Sequence, residues 1–323
     1  MKARLALWLA CLLAFSGATQ AQTQPYPNRP IKIVVPYAPG GPVDVLSRLV
    51  AQRLTERIGQ SVVIDNRAGG STVIGTDIVA KAPPDGYTIM MGTVSSHAMN
   101  PAIAAKLPYD VVADFAPVSL VASMPMVLVV HPAVQASSIK ELIALSKASK
   151  GGLSYGSAGS GTSNHFAAEL FKTMAGVEAV HVPYKGMAPA QVDLMGGRLT
   201  MMFDTTITAM PYVEKGQMKA LAITTPERAP FAPNLPTIAE SGVPGYAVDV
   251  WFGVFAPAKT PPEIVDRLNA EIREVMKVQE IVDRLKGLGA VPRTDTPKQF
   301  AAFVAAEAKK WATVARDAGI TAN

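Results

Sequence analysis

Short apolar runs alternate with amphipathic stretches along nearly the whole chain, and no other feature restricts the fold as much. Residues 31–35 read as a buried strand. Residues 44–58 follow, with Leu46, Leu49, Val50, Leu54 and Ile58 on one helical stripe. Residues 62–64 form the next strand, 71–80 a helix, and 87–91 a strand after the turn Pro83-Pro84-Asp85-Gly86. Residues 118–122 and 126–130 read as two strands separated by Ser123-Met124-Pro125. The scheme then repeats, with strands at 153–156, 179–182, 199–203, 220–223 and 250–255. Helices lie between them: one carrying Phe166, Leu170, Phe171 and Met174, one at 188–195 and a short one at 209–214. Long helices at 261–277 and 297–315 come last. Strands alternating with helices imply an α/β fold with parallel or mixed sheets covered on both faces. Two such sheets of about 100 residues each predict two α/β domains with a cleft between them.

The start of the chain reads differently. Basic Lys2 and Arg4 precede the apolar run 5–15, and Ser16-Gly17-Ala18-Thr19-Gln20-Ala21 follows. That order is a secretory signal peptide, with cleavage expected after Ala21 or Ala18. The run is shorter than the about 20 residues that span a bilayer. The chain's one cysteine, Cys11, sits inside the run rather than after it, so lipidation is not expected and the mature protein has no cysteine. Disulfides, thiolate catalysis and cysteine metal sites are thereby excluded. Loss of Lys2 and Arg4 takes the formal charge from +5 to +3. Lysine and arginine form no basic block, which argues against nucleic acid and is compatible with small anions.

Two strand-to-helix junctions could hold a ligand. In Pro36-Tyr37-Ala38-Pro39-Gly40-Gly41-Pro42-Val43-Asp44, glycines open the backbone and Pro42 suits the first helical position. Free N–H groups and the positive helix end favour an anion there. A well-made turn with Asp44 as a first-turn cap is the alternative. Ser157-Ala158-Gly159-Ser160-Gly161-Thr162-Ser163-Asn164-His165 is the second junction. Its alternative is capping by Thr162 or Ser163, and His165 is either a ligand neighbour or a local cap. Ligands of open α/β folds sit beyond the carboxyl ends of strands, so two such loops could grip one small anion. Neither loop matches a nucleophile elbow, a dinucleotide fingerprint or a phosphate loop. His97, His131, His165 and His181 form no metal pair, so no metal and no cofactor is expected.

The motif Tyr37-Ala38-Pro39-Gly40-Gly41-Pro42-Val43-Asp44 resembles the first signature of the tripartite tricarboxylate transporter receptors, the Bug solute-binding proteins. Asp65-Asn66-Arg67, Pro84-Asp85-Gly86-Tyr87-Thr88, Ser96-His97-Ala98-Met99-Asn100-Pro101 and Leu107-Pro108-Tyr109-Asp110 follow in order. So do Gly159-Ser160-Gly161-Thr162, His181-Val182-Pro183-Tyr184-Lys185-Gly186, Met202-Phe203-Asp204 and Trp251-Phe252-Gly253. The resemblance implies a two-domain periplasmic binding protein of type II, a flytrap closing on a carboxylate. It implies domain 1 at 22–123 plus 228–323 and domain 2 at 124–227. It also implies ligand contacts from Tyr37, Pro39, Gly40, Gly41 and Asp44, and from Gly159, Ser160, Gly161, Thr162 and Ser163. Ser95, His165, Tyr184 and Asp204 would stand at the cleft, with Asp204 either accepting from the ligand or serving as a strand-end turn. The expected protein is a periplasmic monomer that performs no chemistry and delivers its ligand to a membrane permease. A sensor using the same cleft, or an enzyme acting on an acid, are the rival functions. Val43 replaces a common hydroxyl residue, and Ala68-Gly69-Gly70-Ser71-Thr72-Val73, a segment that could face the cleft and bear on which ligand binds, departs from the family's usual proline and glycines. Neither loop contains an arginine, so no bidentate carboxylate clamp is expected.

Overall fold

The computed structural model describes residues 26–321 apart from 105, 150, 185 and 230. The expected signal segment 1–21, with Cys11 and its cleavage site, lies outside the described residues, as does Lys185.

The first sheet is built around β1 (Ile31–Val35). It pairs in parallel with β2 (Val62–Asn66) on one side and β3 (Thr88–Thr93) on the other. Helix α1 (Pro42–Ile58) connects β1 to β2 and buries Val43, Leu46, Val50 and Leu54. It ends where Gly59 adopts φ 69° and returns its N–H to the Thr55 carbonyl, a left-handed cap that glycine makes without strain. Helix α2 (Val73–Ala80) lies between β2 and β3. A π-turn (Ser95–Met99) and the short α3 (Asn100–Ile103) follow β3.

β4 (Phe115–Val130) then runs through both halves of the molecule. The break expected at Ser123-Met124-Pro125 is not there; the two short strands are one. Pro125 pairs with Asp249 in the first sheet, and its neighbour Met126 pairs with Thr205 in the second. The proline therefore stands where the strand changes sheet, so its missing donor removes no ladder bond from either. Met126 gives its own N–H to the Thr224 hydroxyl (2.9 Å).

Helix α4 (Ile139–Ala148), which has no counterpart among the expected elements, precedes β5 (Leu153–Ser157). Then come α5 (Ser163–Ala175), β6 (Ala179–Pro183), α6 (Met187–Met195), β7 (Met201–Thr205), α7 (Thr206–Glu214) and β8 (Lys219–Ile223). The chain re-enters the first sheet at β9 (Asp249–Pro257) and adds α8 (Pro262–Val275), α9 (Gln279–Gly287), β10 (Val291–Pro292) and α10 (Pro297–Asp317). Strand order is β2-β1-β3-β9-β4-β7-β5-β6, with β8 and β10 also on β4. Both sheets are mixed: β9 runs antiparallel to β3 and β4, and β7 and β8 run antiparallel to β4.

Helix α10 fastens the two halves. A capping box of Thr296 and Gln299 starts it. Phe300 fills the space above Gly253, where a Cβ would stand 2.1 Å from the Phe300 ring. Further along, Trp311 meets Phe166 of α5 edge-on at 5.5 Å. The indole N–H groups of Trp251 and Trp311 both donate to the Glu307 carboxylate, at 3.1 and 3.0 Å.

Candidate functional site

Four connections meet at the carboxyl ends of β1, β2, β3 and β5. In the first, Gly40 takes φ 85° and donates its N–H to Asp44 Oδ2 (2.9 Å). Asp44 is buried and also accepts from Arg48 Nε (3.0 Å) and Asn66 Nδ2 (3.0 Å). Burial alone would push that carboxyl up; Arg48, the Gly40 N–H and Asn66 outweigh it and hold it down at about 2. Asp44 thus braces the loop from behind. Asn66 adds a second tie, donating to the Tyr37 carbonyl (3.1 Å). The Tyr37 hydroxyl reaches across to Thr93 Oγ1 (2.7 Å).

The second connection is strained. Gly69, Gly70, Ser71 and Thr72 have φ of 131°, 55°, 51° and 82°. Two are glycines, but Ser71 and the β-branched Thr72 sit where a Cβ costs about 1–2 kcal/mol each. Asn100, at the start of α3, holds them there: its Nδ2 donates to the Ser71 carbonyl and to Thr72 Oγ1 (3.1 Å). Helix α2 then packs directly on the β1 turn. A Cβ on Gly75 would come within 2.7 Å of the Arg67 carbonyl and 2.8 Å of Pro36.

The third connection is the π-turn, a geometry that is rare and frequent at functional sites. It brings Ser95 to the cleft and turns His97 inward. His97 is fully buried and stacked on Phe255 (3.8 Å, 9°), with Nδ1 on Ser96 Oγ (2.9 Å). Burial holds its pKa at about 3, so it is a neutral core residue.

The fourth connection, 157–162, comes from the second sheet. Thr162 Oγ1 donates to the Gly159 carbonyl (2.7 Å). Gly159 and Gly161 take φ of 128° and 79°. A Cβ on Gly161 would lie 2.6 Å from Ile103 of α3, so glycine lets this loop lie against the first half of the molecule.

These connections enclose a cavity of about 210 Å³, below the ~300–1,000 Å³ usual for drug-sized ligands. Of the expected contacts, Tyr37, Ser95, Gly161 and Thr162 line it, beside Pro36 and Ala38. Ala68, Gly69, Ser71, Thr72 and Asn100 line it too and are not among the expected contacts. The only forewarning was the unusual composition of 68–73. Among the described residues no charged side chain lines the cavity. Thr72 and Thr162, which precede α2 and α5, both face it. Helix N-termini carry partial positive charge and N–H groups without intrahelical acceptors. An anion is the ligand such a wall favours.

The other expected residues stand outside that lining. Pro39, Gly40 and Gly41 follow the lining residue Ala38 in the chain, Pro39 and Gly40 exposed. Gly159, Ser160 and Ser163 are partly buried neighbours of Gly161 and Thr162 in the chain. Tyr184 donates to Asp193 Oδ2 (2.5 Å), and burial with that carboxylate pushes the phenol up to about 12. Asp204 is buried at the end of β7 and accepts from Gln191, Thr208 and the Thr205 N–H, each at 2.7 Å. Burial raises its pKa against those three bonds. His165 is buried behind the fourth loop and, with Ser160, borders a separate polar cavity.

Two mixed α/β lobes joined through β4, with a small anion-suited cavity between their loops, define a type II periplasmic binding-protein fold. The family model for the tripartite tricarboxylate transporter family receptor matches residues 46–320. The chain is 37% identical to Protein BugT of Bordetella pertussis over 98% of both chains. Among solved structures it is similar to R. palustris Rpa4515 with adipate (TM-score 0.83, 42% identity, 92% of this chain and 99% of that one). MatC from Rhodopseudomonas palustris with bound malate gives a TM-score of 0.79 at 32% identity, covering 90% of this chain and 99% of that one. The chain belongs to the tripartite tricarboxylate transporter receptor family.

Proposed function

We propose that this protein is an extracytoplasmic receptor that captures a small organic carboxylate in the 210 Å³ cavity and delivers it to a membrane permease. It carries out no chemistry on that ligand. The observation that carries the reading is the cavity wall itself: hydroxyls, an amide and converging helix starts, with no charged side chain among the described lining residues. Adipate and malate in two relatives support the ligand class. Export by a signal peptide cleaved after Ala21 fits the same role, and no helix among the described residues is long and apolar enough to cross a membrane. The lobes divide near 123/124 and 227/228, close to the sheet change at Pro125. Direct ligand contacts are assigned to Tyr37, Ser95, Ser71, Thr72, Asn100, Gly161 and Thr162. Pro39, Gly40, Gly41, Gly159, Ser160 and Ser163 shape the rim, while Asp44, Tyr184 and Asp204 brace the loops behind it.

The test is a thermal-shift panel of organic acids, including adipate and malate, on protein refolded to remove ligand. An acid at 100 times its Kd stabilises by ~2.7 kcal/mol, a rise of about 5 °C. Thr162→Val and Asn100→Asp reduce the shift. A panel of mono-, di- and tricarboxylates that leaves the melting temperature unmoved sinks the proposal.

A further inference from the structure

Beneath the 157–162 loop, outside the cavity, three rings are stacked. Tyr155 of β5 lies against His181 of β6 (4.8 Å, 12°), and His181 lies against His165 of α5 (4.0 Å, 9°). Each imidazole grips the loop above it. Gly161 donates its N–H to His165 Nδ1 (3.2 Å). His181 Nε2 bonds Ser157 Oγ (2.6 Å), and Ser157 Oγ accepts the Gly159 N–H (3.1 Å). Both glycines have positive φ, so these bonds hold the backbone turns that bring Gly161 and Thr162 to the cavity.

We propose that His165 and His181 are positioning residues that pin the glycine amides of the ligand loop, so that protonating either ring loosens one wall of the cavity. This rests on the carboxylate-receptor reading for its effect on binding, but not for its effect on the loop.

The chemistry follows from donor and acceptor roles. A neutral His165 with its proton on Nε2 offers Nδ1 as the acceptor that Gly161 uses. Protonated, it presents an N–H to an N–H, and that bond is lost. A neutral His181 with its proton on Nδ1 accepts from Ser157 at Nε2; protonated, it donates there, and Ser157 then has only the Gly159 carbonyl, 3.1 Å away, for its own proton. Two rings 4.0 Å apart do not carry two charges together. The groups facing the pair are Glu169 and Lys172 of α5 and Tyr155 of β5. Glu169 accepts from Tyr155 and pairs with Lys172 (2.7 Å). The remaining wall, 318–321, brings no ionisable side chain. Burial lowers the pKa of His165, with Glu169 opposing and Lys172 assisting. Burial and then His165 lower that of His181 to about 4. Because both folded values are depressed, the neutral pair is complete above the ordinary histidine range and is lost as pH falls through the folded values.

The experiment uses the full mature chain with 15N-glycine and 15N-histidine labels, free of ligand, from pH 7.5 to 4. The Gly159 and Gly161 amide signals move with the midpoints of the His165 and His181 ring nitrogens. In His165→Asn, whose side-chain oxygen can accept in place of Nδ1 but does not titrate, the Gly161 signal stops following pH. Adipate and malate titrations by calorimetry form the second arm. His165→Phe keeps the stack, loses the acceptor and weakens whichever acid binds by about tenfold at pH 7. His165→Asn weakens it less and flattens the pH profile over the same range, 7.5 to 4. Gly161 signals that stay fixed while His165 titrates overturn the proposal, as does a His165→Phe protein with unchanged glycine signals. If neither acid binds at any pH while the glycine signals follow the histidines, the positioning role stands and the carboxylate reading is what has lost support.

Discussion

Replacing Asp44 with asparagine tests the bracing of the first loop. In the folded protein this carboxyl is held at about 2 against an ordinary 3.8, a difference worth about 2 kcal/mol at neutral pH. The folded value is the depressed one. The stabilisation is therefore present above pH 4 and is lost as pH falls through 2. Linkage puts the loss already reached at pH 3 at about 1 kcal/mol. Asparagine keeps the shape but turns an N–H₂ toward either the Gly40 N–H or the Asn66 amide, and it ends the charge pairing with Arg48. Urea unfolding of both proteins at pH 7, 5, 4 and 3 measures the difference directly. The variant is expected to be about 2 kcal/mol less stable at pH 7, and the gap is expected to narrow to about half at pH 3. A gap that stays constant from pH 7 to 3 refutes the assignment, because a carboxylate that never titrates differently in the folded state contributes no such slope.

Gly75→Ala sets a helix-propensity gain of up to about 1 kcal/mol against overpacking of about 1–3 kcal/mol. The new Cβ meets backbone at Arg67 and the Pro36 ring, so urea unfolding should show a net loss and ligand titration a weaker site. Asn100→Ala removes the donor to Ser71 and Thr72; it should cost about 1–3 kcal/mol, and faster hydrogen exchange at 69–73 would report the relaxed segment. Glu307→Ala strands two indole N–H groups and should lower stability by about 3 kcal/mol, with the change in tryptophan fluorescence marking where the damage lies.

Local chemistry announced much of this molecule. The alternation of strand and helix, Pro42 opening α1 and the glycine junctions after β1 and β5 are all signals carried within a few residues of chain. What escaped depends on distant partners. Asn100 meets Ser71 across 29 positions, and no local propensity places serine and threonine at positive φ; tertiary contacts impose it. Tyr184 and Asp204 are polar residues near a cleft, yet they turn to Asp193 and Gln191, contacts that motif position does not disclose. At Pro125 the proline signal was genuine but marked a change of sheet rather than an end of strand. Helix α4 is a simpler omission: Ser138 accepts from the Glu141 N–H, and Ser-x-x-Glu is written plainly before it.

The place of β9 has a consequence for the order of folding. Residues 126–223 supply every strand of the second sheet, so that half can assemble as soon as its own stretch of chain is free. The first sheet cannot. β3 and β4 are not neighbours; β9 lies between them, and residues 94–248 intervene before it arrives. Until then β3 and β4 each present an open edge of unpaired N–H and C=O groups. Late insertion of one central strand, rather than growth at a margin, closes that half, and high contact order makes it the slow step. A chain emerging end-first from a narrow passage would thus carry a finished second lobe and a gaping first one. The interval before β9 arrives is when it most needs protection from its own kind.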